Sequence, residues 1–234
     1  MKKLYEKHRV LFAVAWILVY VLLMTPIKGN LGFDSPWSAL ALLAIAAGLL
    51  IFVKVLHLGE ACGLTAWPKD TKRYFYFLPF WILATGNLWS GFSLAYRGMG
   101  MVFAVLSMAL VGFVEELIFR GLLFRGMLAE GKTSTAILIS AMTFGIGHIV
   151  NLLSGQASLQ TLLQIVFAVS WGFLFTLVFY RGKSLLPCIL AHAMIDVFSL
   201  FAAENLWMDM LYIAATILTA IVYCLYLWRR KEAE

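Results

Sequence analysis

Long apolar runs separated by short polar stretches set the rhythm of this chain. They cover residues 10–25, 36–56, 74–95, 100–124, 134–153, 159–180, 184–203 and 206–228. Most approach the ~20 residues that a helix needs to cross a ~30 Å hydrocarbon layer at ~1.5 Å per residue. The pattern predicts an all-α polytopic membrane protein, a bundle of about eight transmembrane helices. No repeat or low-complexity tract interrupts it, and no polar stretch is large enough to fold separately in water, so residues 1–234 read as one integral-membrane domain. The opening "MKKLYEKHRVLFAVAWILVYVLLMTP" has a basic, signal-peptide-like start. No small-x-small cleavage site follows, and 10–25 is expected to be a retained first span.

The basic residues sit in the gaps between runs. Lys2, Lys3, Lys7, Arg9, Lys69, Lys72, Arg73, Arg125, Lys132, Arg181, Lys183, Arg229, Arg230 and Lys231 fall on one side of the alternating topology, and Lys28 and Arg97 on the other. By the positive-inside rule both termini are expected in the cytoplasm. The net charge of +6 therefore reports membrane orientation, and nucleic acid is not an expected partner. Composition agrees: 63% of residues are hydrophobic and 13% charged, against about 45–50% and about 25% in soluble domains. Cys62, Cys188 and Cys224 are scattered, with no CxxC pair, and imply neither a disulfide framework nor a zinc finger. Trp37, Trp67, Trp81, Trp89, Trp207 and Trp228 mostly fall near span ends, as interfacial anchors do.

Against this background a few ionisable residues stand out inside the runs. Glu115, Glu116 and Arg120 lie in "GFVEELIFRG", His148 in "TFGIGH", and His192 and Asp196 in "HAMID". Left unpaired, six such groups would cost on the order of 10 kcal/mol on insertion scales. Convergence on one cavity reduces that cost. At ~100° per residue Glu116 and Arg120 lie about 40° apart around a helix and can pair, whereas Glu115 lies about 140° from Arg120. Glu116 is thus expected to be neutralised structurally and Glu115 to stay available for proton transfer. Asp196 shares a face with His192 and can orient its imidazole. The glycines before His148 admit close backbone approach.

Taken together, "EELIFR" (115–120), "FGIGH" (144–148) and "HAMID" (192–196) resemble the EExxxR, FxxxH and Hxxx[N/D] motifs of the CAAX-protease and bacteriocin-processing family, also called Abi, of intramembrane proteases. The motifs arrive in family order, and the resemblance covers roughly residues 75–205. It implies hydrolysis of a peptide bond inside the bilayer, with Glu115 and His148 activating water, His192 and Asp196 stabilising the oxyanion, and Glu116 with Arg120 holding the site together. No serine or cysteine is evidently paired with an intramembrane base, which argues against a covalent nucleophile.

The donor types Glu115, His148 and His192 also match a His₂Glu zinc site, although no HExxH spacing is present. The metal-free reading is preferred and the zinc version stays open. Two other functions compete. A transporter also buries Glu, Arg, His and Asp, but the chain shows no internal repeat. An immunity-type scaffold would need no complete motif set. The expected partners are the lipid bilayer and a membrane-associated peptide or protein substrate, and the expected location is a bacterial plasma membrane.

Overall fold

The computed structural model describes residues 2–68 and 77–229. Lys69, Lys72, Arg73, Arg230 and Lys231, and the first residues of the expected 74–95 span, lie outside them. The described chain is helical almost throughout. Its elements are α1 (Lys2–Lys7), α2 (Arg9–Leu31), α3 (Pro36–Val55), α4 (Leu78–Ala84), α5 (Gly98–Glu116), α6 (Arg125–Glu130), α7 (Thr133–Gly147), α8 (Ser158–Gly182), α9 (Leu186–Ser199) and α10 (Leu206–Arg229). Between α5 and α6 the helix never breaks. It widens over Leu117–Phe124 to bonding of the i→i+5 type, giving one continuous helix over Gly98–Glu130. Local chemistry sets several starts. Ser35 caps α3 by accepting from Trp37 N at 3.3 Å, with Pro36 in the first turn, and Pro187 opens α9 in the same way.

The polytopic all-α architecture expected from the apolar runs is what forms. Among the described residues six helices are long and apolar enough to cross a membrane: Arg9–Leu31, Pro36–Val55, Gly98–Glu130, Thr133–Leu153, Ser158–Gly182 and Leu206–Tyr226. The two remaining runs differ from the expectation. Within 74–95 the described residues form only α4 and a tight turn at Gly86–Leu88, and within 184–203 the helix is the 14-residue α9. "TGNLWSG" is the reason in the first case. Gly86 lies against the Tyr212 ring, Asn87 spends its side-chain amide on Ile195 O at 2.7 Å, and Gly91 adopts φ 99°. The two short elements end against each other. Ser93 N donates to Phe201 O and Ala95 N to Leu200 O, each at 2.9 Å, which satisfies backbone groups that a longer helix would have bonded internally.

The first helix also runs further than 10–25, through Pro26 to Leu31, and carries Lys28 with it. Trp37, Trp67 and Trp207 are exposed, as belt residues are. The three cysteines are free thiols. Cys62, in the polar connection after α3, donates to Gly121 O at 3.4 Å, and burial pushes its thiol up to about 12, so it is an inert packing residue.

The widened segment is the hub of the bundle, with every residue from Leu117 to Phe124 buried. Around it helices approach to backbone contact at glycines. A Cβ on Gly112 would lie 2.7 Å from Ala193 N, one on Gly145 2.6 Å from Val169 N, and one on Gly172 2.8 Å from Ala141 O. In lipid, where apolar burial drives little helix association, such small-residue contacts supply the packing. They bind α5 to α9 and α7 to α8, and so fix the segments that carry the three motifs against one another.

Candidate active site

Adjacent glutamates end α5 and meet opposite fates. Glu116 is 0% exposed and pairs with the equally buried Arg120 at 2.9 Å, as the i, i+4 spacing predicts. The guanidinium is fixed further by Gly172 O at 3.3 Å from Nη2, and its Cζ lies 4.1 Å from the Phe144 ring centroid and 5.1 Å from that of Phe175. Such a setting holds a cation in place at low dielectric. Glu115 instead lines a cavity of about 770 Å³ together with Tyr20, Lys28, His148, His192 and Asp196. Its Oε1 accepts a hydrogen bond from Tyr20 Oη at 2.7 Å.

The close α5–α9 approach at Gly112 brings His192 against this pair. Its Nδ1 lies 2.9 Å from Glu116 Oε1, the oxygen that also accepts from Arg120. An ionised carboxylate only accepts, so Nδ1 carries the proton. The ring stacks on Phe175 at 5.2 Å and meets Phe144 edge-on at 5.6 Å. Its Nε2 faces Asp196 Oδ2 at 3.5 Å and Glu115 Oε2 at 3.8 Å. Sequence spacing assigned the orienting role to Asp196 alone. In the structure Glu116 holds the imidazole from behind, and Asp196 stands beside its other nitrogen.

His148 begins the tight turn His148–Ser154 that follows α7. Its Nδ1 is 3.1 Å from Phe144 O, and a carbonyl only accepts, so the neutral ring presents Nε2 as an acceptor. His148 and Glu115 line the same cavity. Gly145 makes the close contact expected of the "FGIGH" glycines, while a Cβ on Gly147 would meet nothing within 4 Å. Among the described residues no three His, Cys, Asp or Glu side chains come close enough to share one metal ion. The donor set Glu115, His148 and His192 does not converge as ligands in this arrangement, and no step below runs through a metal.

All six motif residues therefore meet in one place, from the end of α5, the widened segment after it, the turn that follows α7, and α9. Sequence reasoning missed four neighbours. Tyr20 and Lys28 come from α2, Asn151 from the turn after His148, and Phe175 from α8. Tyr20 carried a signal, a phenol in mid-span rather than at a span end. Lys28 was assigned to a loop because the apolar run stops before Pro26.

A comparison with curated proteins found no match. A comparison with family models did, and it falls on the segment that builds the site. Residues 97–198 match the family described as "Type II CAAX prenyl endopeptidase Rce1-like". The match begins just before α5 and ends within α9, so it spans Glu115 to Asp196 and leaves out Tyr20 and Lys28. The three motifs and the cavity on which they converge lie within this match, so the segment that builds the site is similar to the CAAX-protease family of intramembrane endopeptidases.

Proposed function

We propose that this CAAX-type protease cleaves a peptide bond of a membrane-associated substrate by a glutamate-based mechanism, with Glu115 as the proton acceptor. The observation that carries the reading is the split between the two glutamates. Glu116 is committed to Arg120 and His192 behind the cavity wall, while Glu115 faces the cavity with one neutral hydrogen-bond donor on it. Neighbouring groups of one type held in different environments are how a site divides labour.

In this mechanism a water sits between Glu115 and His148 Nε2. Glu115 takes its proton as the oxygen attacks the carbonyl carbon, and later delivers it to the leaving amine. Tyr20 holds Glu115 in position. The tetrahedral oxyanion needs donors on the opposite side, and His192 and Asp196 supply them. With Nδ1–H committed to Glu116, an Nε2–H exists only on the doubly protonated imidazole, whose charge the surrounding carboxylates balance. Asp196 donates directly when it carries a proton. Because Glu116 already fixes the ring, orientation by Asp196 is redundant, and direct donation is the better account.

Both termini in the cytoplasm and a bacterial plasma membrane location belong to the same proposal, supported by the distribution of Lys and Arg. Comparative peptidomics of cells carrying wild-type or Glu115→Gln protein tests the function. Membrane-derived fragments should be present with the first and missing with the second. Indistinguishable peptide profiles would refute proteolysis by this site.

A further inference from the structure

The start of α2 gathers positive charge without a countercharge among the described residues. Arg9 opens that helix and Arg125 opens α6. The two elements touch at Gly126, where a Cβ would lie 3.1 Å from Arg9 Cβ and 3.4 Å from Val10 N. Arg9 Nε is buried without a hydrogen-bond partner. Among the described residues no carboxylate lies within 4 Å of either guanidinium, and Glu6 and Glu130, close by in sequence, pair with neither.

Tyr5 completes the cluster. It is 5% exposed, with its ring held edge-on by Phe12 at 5.7 Å and Phe52 at 5.8 Å. Its hydroxyl nevertheless makes no hydrogen bond to a described residue. Burial, and then the Cys62 thiol, push that hydroxyl up to about 12, so it remains a donor. Arg9 and Arg125 act in the opposite sense, which puts both guanidiniums within electrostatic reach of it. The first turn of α2 adds a further element. His8, just before it, makes no side-chain cap, so the N–H groups of that turn are open to an external acceptor.

Two guanidiniums, a buried phenol and an uncapped helix N-terminus are all donors, and guanidinium forks match phosphate oxygens. Position selects the source of the phosphate. Arg9 is the first residue of a helix long enough to cross the membrane, so the cluster stands where that helix leaves the hydrocarbon and lipid headgroups begin. We propose that Tyr5, Arg9 and Arg125 form a binding site for the phosphate of an anionic phospholipid headgroup. None of the three lines the cavity that holds Glu115, and the site stands apart from the reading of that cavity as a protease centre.

The test is the melting temperature of the full chain in non-ionic detergent, titrated with short-chain phosphatidylglycerol, short-chain phosphatidylcholine or inorganic phosphate. A ligand of the folded state raises that temperature in a concentration-dependent way. Phosphatidylglycerol should act at roughly tenfold lower concentration than phosphatidylcholine, the scale of a charge-assisted contact. Arg9→Gln/Arg125→Gln should abolish the preference. Tyr5→Phe removes one oxygen and should weaken it roughly fivefold, which keeps the test decisive if the double variant fails to fold. Lys54→Gln/Lys132→Gln removes the same charge at exposed positions outside the cluster and should leave the preference intact. Inorganic phosphate acting as strongly as phosphatidylglycerol would overturn the lipid as occupant. Equal response to the two lipids, no response to either, a preference that survives Arg9→Gln/Arg125→Gln, or one lost equally in the lysine variant would overturn the site itself.

Discussion

Replacing Glu116 by glutamine should damage the fold far more than the same change at Glu115. The substitution keeps the side chain's shape but removes the charge that compensates Arg120, which is 0% exposed and then retains Gly172 O and the Phe144 and Phe175 rings. His192 Nδ1 loses its charged acceptor at the same time. Breaking a buried pair by removing one partner costs about 3–5 kcal/mol. For a chain of this size about 2–4 °C of melting temperature goes with each kcal/mol, so the drop should be roughly 6–20 °C. Glu115→Gln retains an oxygen for Tyr20 and leaves no cation stranded, and its loss should stay within about 1 kcal/mol. Thermal denaturation of the purified proteins in detergent reads both. The double variant Glu116→Gln/Arg120→Met removes both charges and should recover much of the loss, because two compensated absences cost less than one orphaned ion. A Glu116→Gln protein melting within about 2 °C of wild type, or a double variant less stable than the single, would refute this reasoning.

Three further outcomes follow from the same geometry. Gly112→Ala places a Cβ 2.7 Å from Ala193 N, so α9 must move; a shift of about 1 Å in His192 should cost on the order of 100-fold in turnover, measured on protein that still inserts. Asp196→Asn should retain most activity because an amide also donates, whereas Asp196→Ala should lose roughly 100-fold or more, the scale of one lost oxyanion donor; an inactive but folded Asn variant would show that the negative charge is required. Active, purified protein should carry no stoichiometric zinc by elemental analysis; about one zinc per chain, lost with activity on chelation and restored with it, would favour the His₂Glu alternative.

The long helices were legible in the sequence because twenty apolar residues in lipid have few structures open to them. The interrupted elements were not, since apolar content over 74–95 and 184–203 does not reveal that Gly86, Asn87 and Gly91 turn the first or that its end bonds to residues 200–203. For the site, the i, i+4 rule found the Glu116–Arg120 pair, and the cost of charge in lipid identified all six groups that meet. What stayed hidden was three-dimensional. That Glu116 rather than Asp196 holds His192 depends on the α5–α9 contact at Gly112, and Tyr20 reaches Glu115 from 95 residues away. Lys28 was misplaced for a local reason, the assumption that the helix ends before Pro26.

The proposed function rests on Glu115 as the group that activates the attacking water. Its most direct test is turnover of a cleaved reporter peptide by purified Glu115→Gln protein in nanodiscs, with its melting temperature recorded alongside. General-base catalysis contributes about 10²–10⁴-fold, so turnover should fall by that factor while the melting temperature stays at the wild-type value. Near-normal turnover by the folded variant would contradict the account.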